Sequence, residues 1–173
     1  MSVVFNNLLR FVVLIALQVL LFDHLDLANG WVVPYLYVLF ILMLPFELPT
    51  WSVLLMGFAT GALMDFFSNT PGMHAGACTV MAFARTGVLR LLSPRDGYEF
   101  GVTPTMQGMG LVWFLAYTAL LVPVHHLWLF FTEVFRFDRF LETVGRSLLS
   151  AALTIALIVL VQMLTWRQDR KRT

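Results

Sequence analysis

The sequence predicts an all-α polytopic membrane protein: six transmembrane helices, both termini cytoplasmic, and one amphipathic helix in the outer interface. Three observations carry this. First, 60% of the 173 residues are hydrophobic and only 12% charged, against about 25% charged in soluble domains, and the mean hydropathy is +0.83. Second, the apolar residues gather into runs close to the roughly 17–25 residues a spanning helix needs. Third, the arginines and lysines cluster in alternate connections, and that asymmetry orients a membrane protein. The net charge of +1 says little beside it. No stretch on either side is long enough for an independent soluble domain. The N-terminal run is followed by acidic residues rather than a small-residue cleavage site, so it is expected to be retained.

The first span is expected over residues 3–22, with Asn6, Asn7 and Arg10 in its opening turns and Arg10 able to snorkel to the near interface. A polar connection follows, with Asp23, His24 and Asp26 read as a solvated loop. The second span, 31–46, is short and bracketed by Pro34 and Pro45, with Trp31, Tyr35 and Tyr37 near one interface. After the tight turn around Glu47 come the third span, 51–67, and the fourth, 73–92. A longer polar loop through Arg95 leads to the fifth span, 108–124, and the sixth, 144–166, ends in a basic tail. With the termini inside, Arg10, Arg90, Arg95, Arg167, Arg170, Lys171 and Arg172 are cytoplasmic. Arg136 and Arg139 lie outside, and Arg146 sits just within the outer end of the last helix. Residues 127–143 carry Glu133, Arg136, Arg139 and Glu142 at steps of three, which suits an interfacial amphipathic helix. The simpler alternative is a fifth helix that continues past Pro123.

The most informative stretch is GFATGALMDFFSNTPGMHAGA, which begins at Gly57. Gly57, Gly61 and Asp65 are four apart and share one helix face. Small residues at that spacing let two backbones approach closely in a membrane. The carboxylate continues the stripe, so it faces a neighbouring helix rather than lipid. Ionisable groups within spans are costly and take named partners. The expected partners of Asp65 are His74 or exposed amides near Gly72 and His74, and its expected role is to hold the turn between the third and fourth helices. If that role is hydrogen bonding, asparagine in its place should keep the fold. The competing role is a proton- or ion-coupling carboxylate.

Arg85 is not expected to meet Asp65, because at about 1.5 Å per residue it lies many ångströms deeper than His74. It is expected to reach toward Glu47 or to snorkel to the same side. Glu47, Arg85, Arg90 and Arg95 together form the expected cytoplasmic-side contacts. Cys78, the single cysteine, reads as a packed thiol. Adjacent His125 and His126 diverge by about 100° on a helix, a poor metal geometry, so an interfacial location is expected for both. No phosphate-cradling glycine loop, zinc-binding HExxH or activated nucleophile is present in the sequence. No catalytic residue, metal or cofactor is expected, and no nucleic-acid partner.

The motif Gly57-x-x-x-Gly61-x-x-x-Asp65 with its small-residue continuation at 72–77, the stretch PYLYVLF from Pro34, and SPRDGYE from Ser93 together resemble the rod shape-determining MreD family in its Bacteroidetes form. The likeness covers nearly the whole chain, although the turn carries Pro71-Gly72-Met73-His74 in place of the commoner glycine–leucine–glycine. It implies a multi-pass protein of the bacterial inner membrane with a fold similar to the S components of energy-coupling-factor transporters. It also implies a non-enzymatic place in the elongasome beside MreC, MreB, RodA and a penicillin-binding transpeptidase, among membrane lipids. The other reading is a small-molecule or lipid-precursor transport component, with a cavity lined by Asp65, Thr79, Ser150 and Thr154.

Overall fold

The computed structural model describes residues 3–25, 27–135 and 139–169, and no strand occurs among them. In chain order they form α1 (Val3–Leu20), a 3-10 turn (Phe22–His24), α2 (Val38–Leu42), α3 (Thr50–Ser68), α4 (Met73–Leu91), the single turn α5 (Met106–Met109), α6 (Leu111–Val134) and α7 (Phe140–Asp169). Four of these helices are long and apolar enough to cross a membrane, over Asn7–His24, Thr50–Ser68, Leu111–Val134 and Phe140–Thr165.

The outside of the bundle is apolar, unlike that of a soluble domain, and polar side chains are enclosed among the apolar ones of the core. Leu8, Val12, Phe58, Phe66, Phe83, Val112 and Leu148 are exposed on the outside of the bundle, whereas Gln18, Thr118, His125, His126, Ser150 and Thr154 are wholly enclosed. Apolar side chains cover the outside at no cost only where the solvent is itself apolar.

Helix α4 lies between α3 and α6 and packs along both. It is as long as α3, at 19 residues, yet is not among the four apolar helices. Its surroundings explain this: His74, Ala75, Ala77, Cys78, Met81, Ala82 and Arg85 are all buried. A helix flanked by protein on two sides needs small residues there for close approach and keeps only a narrow outer face, at Phe83 and Leu91.

The largest departure from the sequence reading is at 31–46. That stretch is helical only over the five residues of α2. Its first part is non-helical, from the exposed Trp31 inward, and most of 36–44 is buried: Leu36, Tyr37, Val38, Leu39, Ile41 and Leu42 are at most 1% exposed. Non-helical backbone is tolerated at this depth only where protein groups satisfy it. Here side chains do so. Gln18 donates from Nε2 to the carbonyl of Pro34 (3.1 Å) and accepts from the amide of Leu36 (2.8 Å). Ser150 and Thr154 of α7 accept from the amides of Val33 and Tyr35, each at 3.1 Å. At the far end the Tyr117 hydroxyl donates to the carbonyl of Leu42 (3.0 Å), and Arg85 donates to those of Leu44 and Pro45. Five buried side chains, those of Gln18, Arg85, Tyr117, Ser150 and Thr154, therefore serve one segment. Apolar content alone marked it as a helix, but Pro34 and Pro45, which cannot donate, frame a piece too short to span as one.

A second correction concerns 127–143. Among its described residues no separate interfacial helix occurs. Helix α6 continues unbroken past Pro123 to Val134 and ends at Phe135, whose φ of 45° is left-handed. Glu133 therefore belongs to the end of α6 and Glu142 to the first turn of α7. Arg136, like Asp26 and the tail residues Arg170, Lys171 and Arg172, lies outside the described residues. Arg146 ties this end together: it bonds Glu133 at 3.1 Å, donates to the Gly30 carbonyl at 3.3 Å and stacks over the Phe130 ring.

Candidate functional site: the α3–α4 junction and the core beneath it

Helix α3 ends at Asn69 with a left-handed φ of 56°, and α4 begins after Gly72 at φ 85°. Both are turn conformations that asparagine and glycine adopt most readily. The first amides of α4 would have no partner of their own. Asp65, from the preceding helix, supplies one. Its Oδ1 accepts from the Thr70 hydroxyl (3.0 Å) and the His74 amide (2.9 Å), and its Oδ2 from the amides of Gly72 and Ala75 (both 3.0 Å). A carboxylate at a helix N-terminus also meets the positive end of the helix dipole. Asp65 thus caps α4 from outside it, with both oxygens committed.

The same helix face brings the backbones together. A Cβ at Gly57 would stand 3.0 Å from the Ala82 Cβ and 3.1 Å from the Cys78 carbonyl oxygen. At Gly61 it would fall 2.5 Å from the Ala75 Cα and collide with the His74 carbonyl oxygen. Gly76 performs the same service on the other side of α4, where a Cβ would sit 2.8 Å from the Trp128 indole nitrogen. Gly57, Gly61 and Asp65 therefore form one continuous seam, closed at its end by Gly72 and the His74 amide.

The His74 ring does not meet Asp65. It turns inward, where its Nδ1 lies 2.7 Å from the Tyr37 hydroxyl, and that hydroxyl also lies 2.8 Å from Nε2 of His125. A phenol has one proton to give, so one imidazole accepts it and the other donates to the oxygen. His125 Nδ1 is buried with no partner. Orphaned buried N–H groups are rarer than orphaned acceptors, so the arrangement is His125 Nε2–H to Tyr37 oxygen, and Tyr37 O–H to His74 Nδ1. His126 is fixed separately. Its Nδ1–H donates to the Val122 carbonyl (2.9 Å), and its Nε2 lies 3.0 Å from the Thr154 hydroxyl, which also reaches the Ser150 carbonyl at 2.8 Å. Both histidines are fully buried, which corrects the interfacial location expected for them. The Tyr35 ring packs against His74, His125 and His126. Among the described residues, no three His, Cys, Asp or Glu side chains assemble in a way that could hold a metal.

Above these rings an open cavity of about 700 Å³ is lined in part by Asp23, His24, Tyr35, His74, Glu133 and Arg146. The transport reading placed Asp65, Thr79, Ser150 and Thr154 around one cavity, and none of the four lines this one. Thr79 instead donates to the Ala75 carbonyl within its own helix.

At the opposite end of the bundle, Arg85 neither snorkels nor pairs with Glu47. It is 3% exposed, donates from Nε to the Tyr117 hydroxyl at 2.8 Å, and caps the carbonyls after α2. Glu47 accepts from the Gly101 amide at 2.8 Å. Arg90 and Arg95 are exposed. The four residues grouped as one set of contacts thus divide into a buried clamp, a loop tie and two free charges.

Sequence reasoning missed Gln18, Tyr37 and Tyr117. The available signal was a glutamine within an apolar run, since a lone amide inside a span demands a partner. Position alone could not name that partner, because it is non-helical backbone from another segment.

The apolar exterior and the four long apolar helices mark an all-α membrane protein. No family model, curated protein or solved structure matches the chain.

Proposed function

We propose that this chain is a non-enzymatic scaffold of the bacterial inner membrane, an MreD-like subunit of the elongasome that supports lateral wall synthesis by binding MreC and its associates. One observation carries the reading: Asp65 is bonded through both oxygens to its own turn. An acid so committed serves architecture and has no free lone-pair direction for a travelling proton or ion. The proposed topology crosses the membrane six times, by α1, the 31–46 segment, α3, α4, α6 and α7, with both termini cytoplasmic by the distribution of Arg and Lys. The exposed apolar faces of α1 and α7 then remain for single-span partners, and MreB, RodA and its transpeptidase follow from the family likeness. The test is depletion in the native host. Cell rounding with nutrient uptake intact, together with in-cell cross-links from single cysteines on α3 and α7 to MreC, is the expected result. Normal shape with a specific uptake defect would overturn it.

A second reading, a small-molecule or lipid-precursor transport component, is favoured by the cavity of about 700 Å³ alone, whose lining mixes polar and apolar side chains. A stoichiometric small molecule retained by the purified chain and lost on substituting Tyr35 or Arg146 would support it.

A further inference from the structure

At the end of the bundle remote from the α3–α4 turn, a cavity of about 490 Å³ is lined by Thr50, Arg85, Thr86, Arg90, Ser93 and Tyr98, among others. Arg85 has spent its Nε and Nη2 on Tyr117 and the carbonyls of Leu44 and Pro45. Its remaining nitrogen, Nη1, makes no hydrogen bond and is not sealed from the cavity. Among the described residues, neither Arg85 nor Arg90 has a carboxylate partner, since the ion pairs formed are Arg139–Glu142 and Arg146–Glu133. The acid nearest in the 45–49 turn, Glu47, is engaged with Gly101. A guanidinium enclosed by protein without a counter-charge is costly, and an anion entering the cavity would offset that cost. Helix α3 also begins at Thr50, so the positive end of a 19-residue helix dipole lies on the same cavity.

What sits beside this cavity identifies the anion's carrier. An apolar groove of about 390 Å³ runs between α1 and α3, lined by Phe11, Phe40, Leu44, Met56 and Ala59, and it meets the cavity at Leu48, which lines both. Aromatic rings mark the same end: Phe46 stacks on Tyr98 at 4.1 Å with Trp113 edge-on to both, and Trp51 is 69% exposed. Amphipathic rings gather at headgroup depth. We propose that this is a binding site for an anionic phospholipid, its phosphate held by Arg85 and Arg90 at the start of α3 and one acyl chain lying in the groove of Phe11, Phe40 and Met56. Arginine suits the role, because its planar fork matches phosphate oxygens.

The test is native mass spectrometry of the full-length chain, delipidated in detergent and given phosphatidylglycerol or phosphatidylcholine with identical acyl chains. One phosphatidylglycerol should be retained with at least a tenfold preference. Arg85→Gln is a poor sole probe because that side chain also clamps the 44–45 carbonyls. Arg90→Gln and Ala59→Trp therefore carry the test: Arg90 makes no hydrogen bond inside the protein, and Ala59 is exposed in the groove. Each should lower phosphatidylglycerol retention at least fivefold while the unfolding midpoint of the lipid-free chain stays unchanged. Equal retention of the two lipids, or displacement of phosphatidylglycerol by equimolar inorganic phosphate with Ala59→Trp without effect, would overturn the proposal. The second result would leave only a free-anion site.

Discussion

Among the described residues the two ends of this bundle each bury one charged side chain, and they satisfy it differently. At the α3–α4 turn, Asp65 collects four donors from its own chain and keeps nothing in reserve. At the other end, Arg85 caps the backbone after α2 with part of its guanidinium and leaves Nη1 facing a cavity. The first charge completes a turn, while the second is only half used by the fold. The lesson is that a buried ionisable residue marks function only after its partners are counted.

Substitutions sharpen that contrast in descending order of effect. Gly61→Leu should be the most damaging, because the added atoms would enter the α4 backbone at His74 and Ala75; a loss of about 3 kcal/mol, or failure to accumulate as folded protein, would register in detergent unfolding and membrane abundance. Next comes Asp65→Asn. Each oxygen of Asp65 accepts from a backbone amide, so either orientation of an asparagine turns its NH₂ toward N–H donors. The expected cost is about 2–3 kcal/mol, which reverses the sequence-based expectation that asparagine would be tolerated. A wild-type unfolding midpoint for this variant would break the comparison. Tyr37→Phe removes the hydroxyl that orders His74 and His125 and should cost about 1–2 kcal/mol, seen in the same unfolding measurement. Glu47→Gln should be smallest, under about 1 kcal/mol, since its contact is exposed and the amide oxygen can still accept from Gly101. Only at the Arg85 end should added anionic lipid raise the midpoint, so an equal gain for the Arg90→Gln variant would erase the distinction between the two ends.

Much of this was legible in the chain. The helices α1, α3, α4 and α7 fall close to the apolar runs that announced them, and the Gly57–Gly61–Asp65 stripe sits on one face because a helical period of 3.6 puts it there. The polar partners were not legible. Gln18, Ser150, Thr154, Tyr117 and Arg85 come from four helices and converge on residues 33–45. Nothing local in the sequence signals which distant backbone will lack a hydrogen bond.

By itself, then, the sequence determined the solvent and the close-packed seam, because hydropathy and small-residue spacing act within a few turns of one helix. Only the tertiary structure decided that the most apolar short run would cross the core largely unwound, that α6 would continue past Pro123, and that His125 and His126 would be enclosed. Each of those outcomes depends on which other helix stands alongside to satisfy the backbone or cover the ring, and that is a property of the assembled bundle.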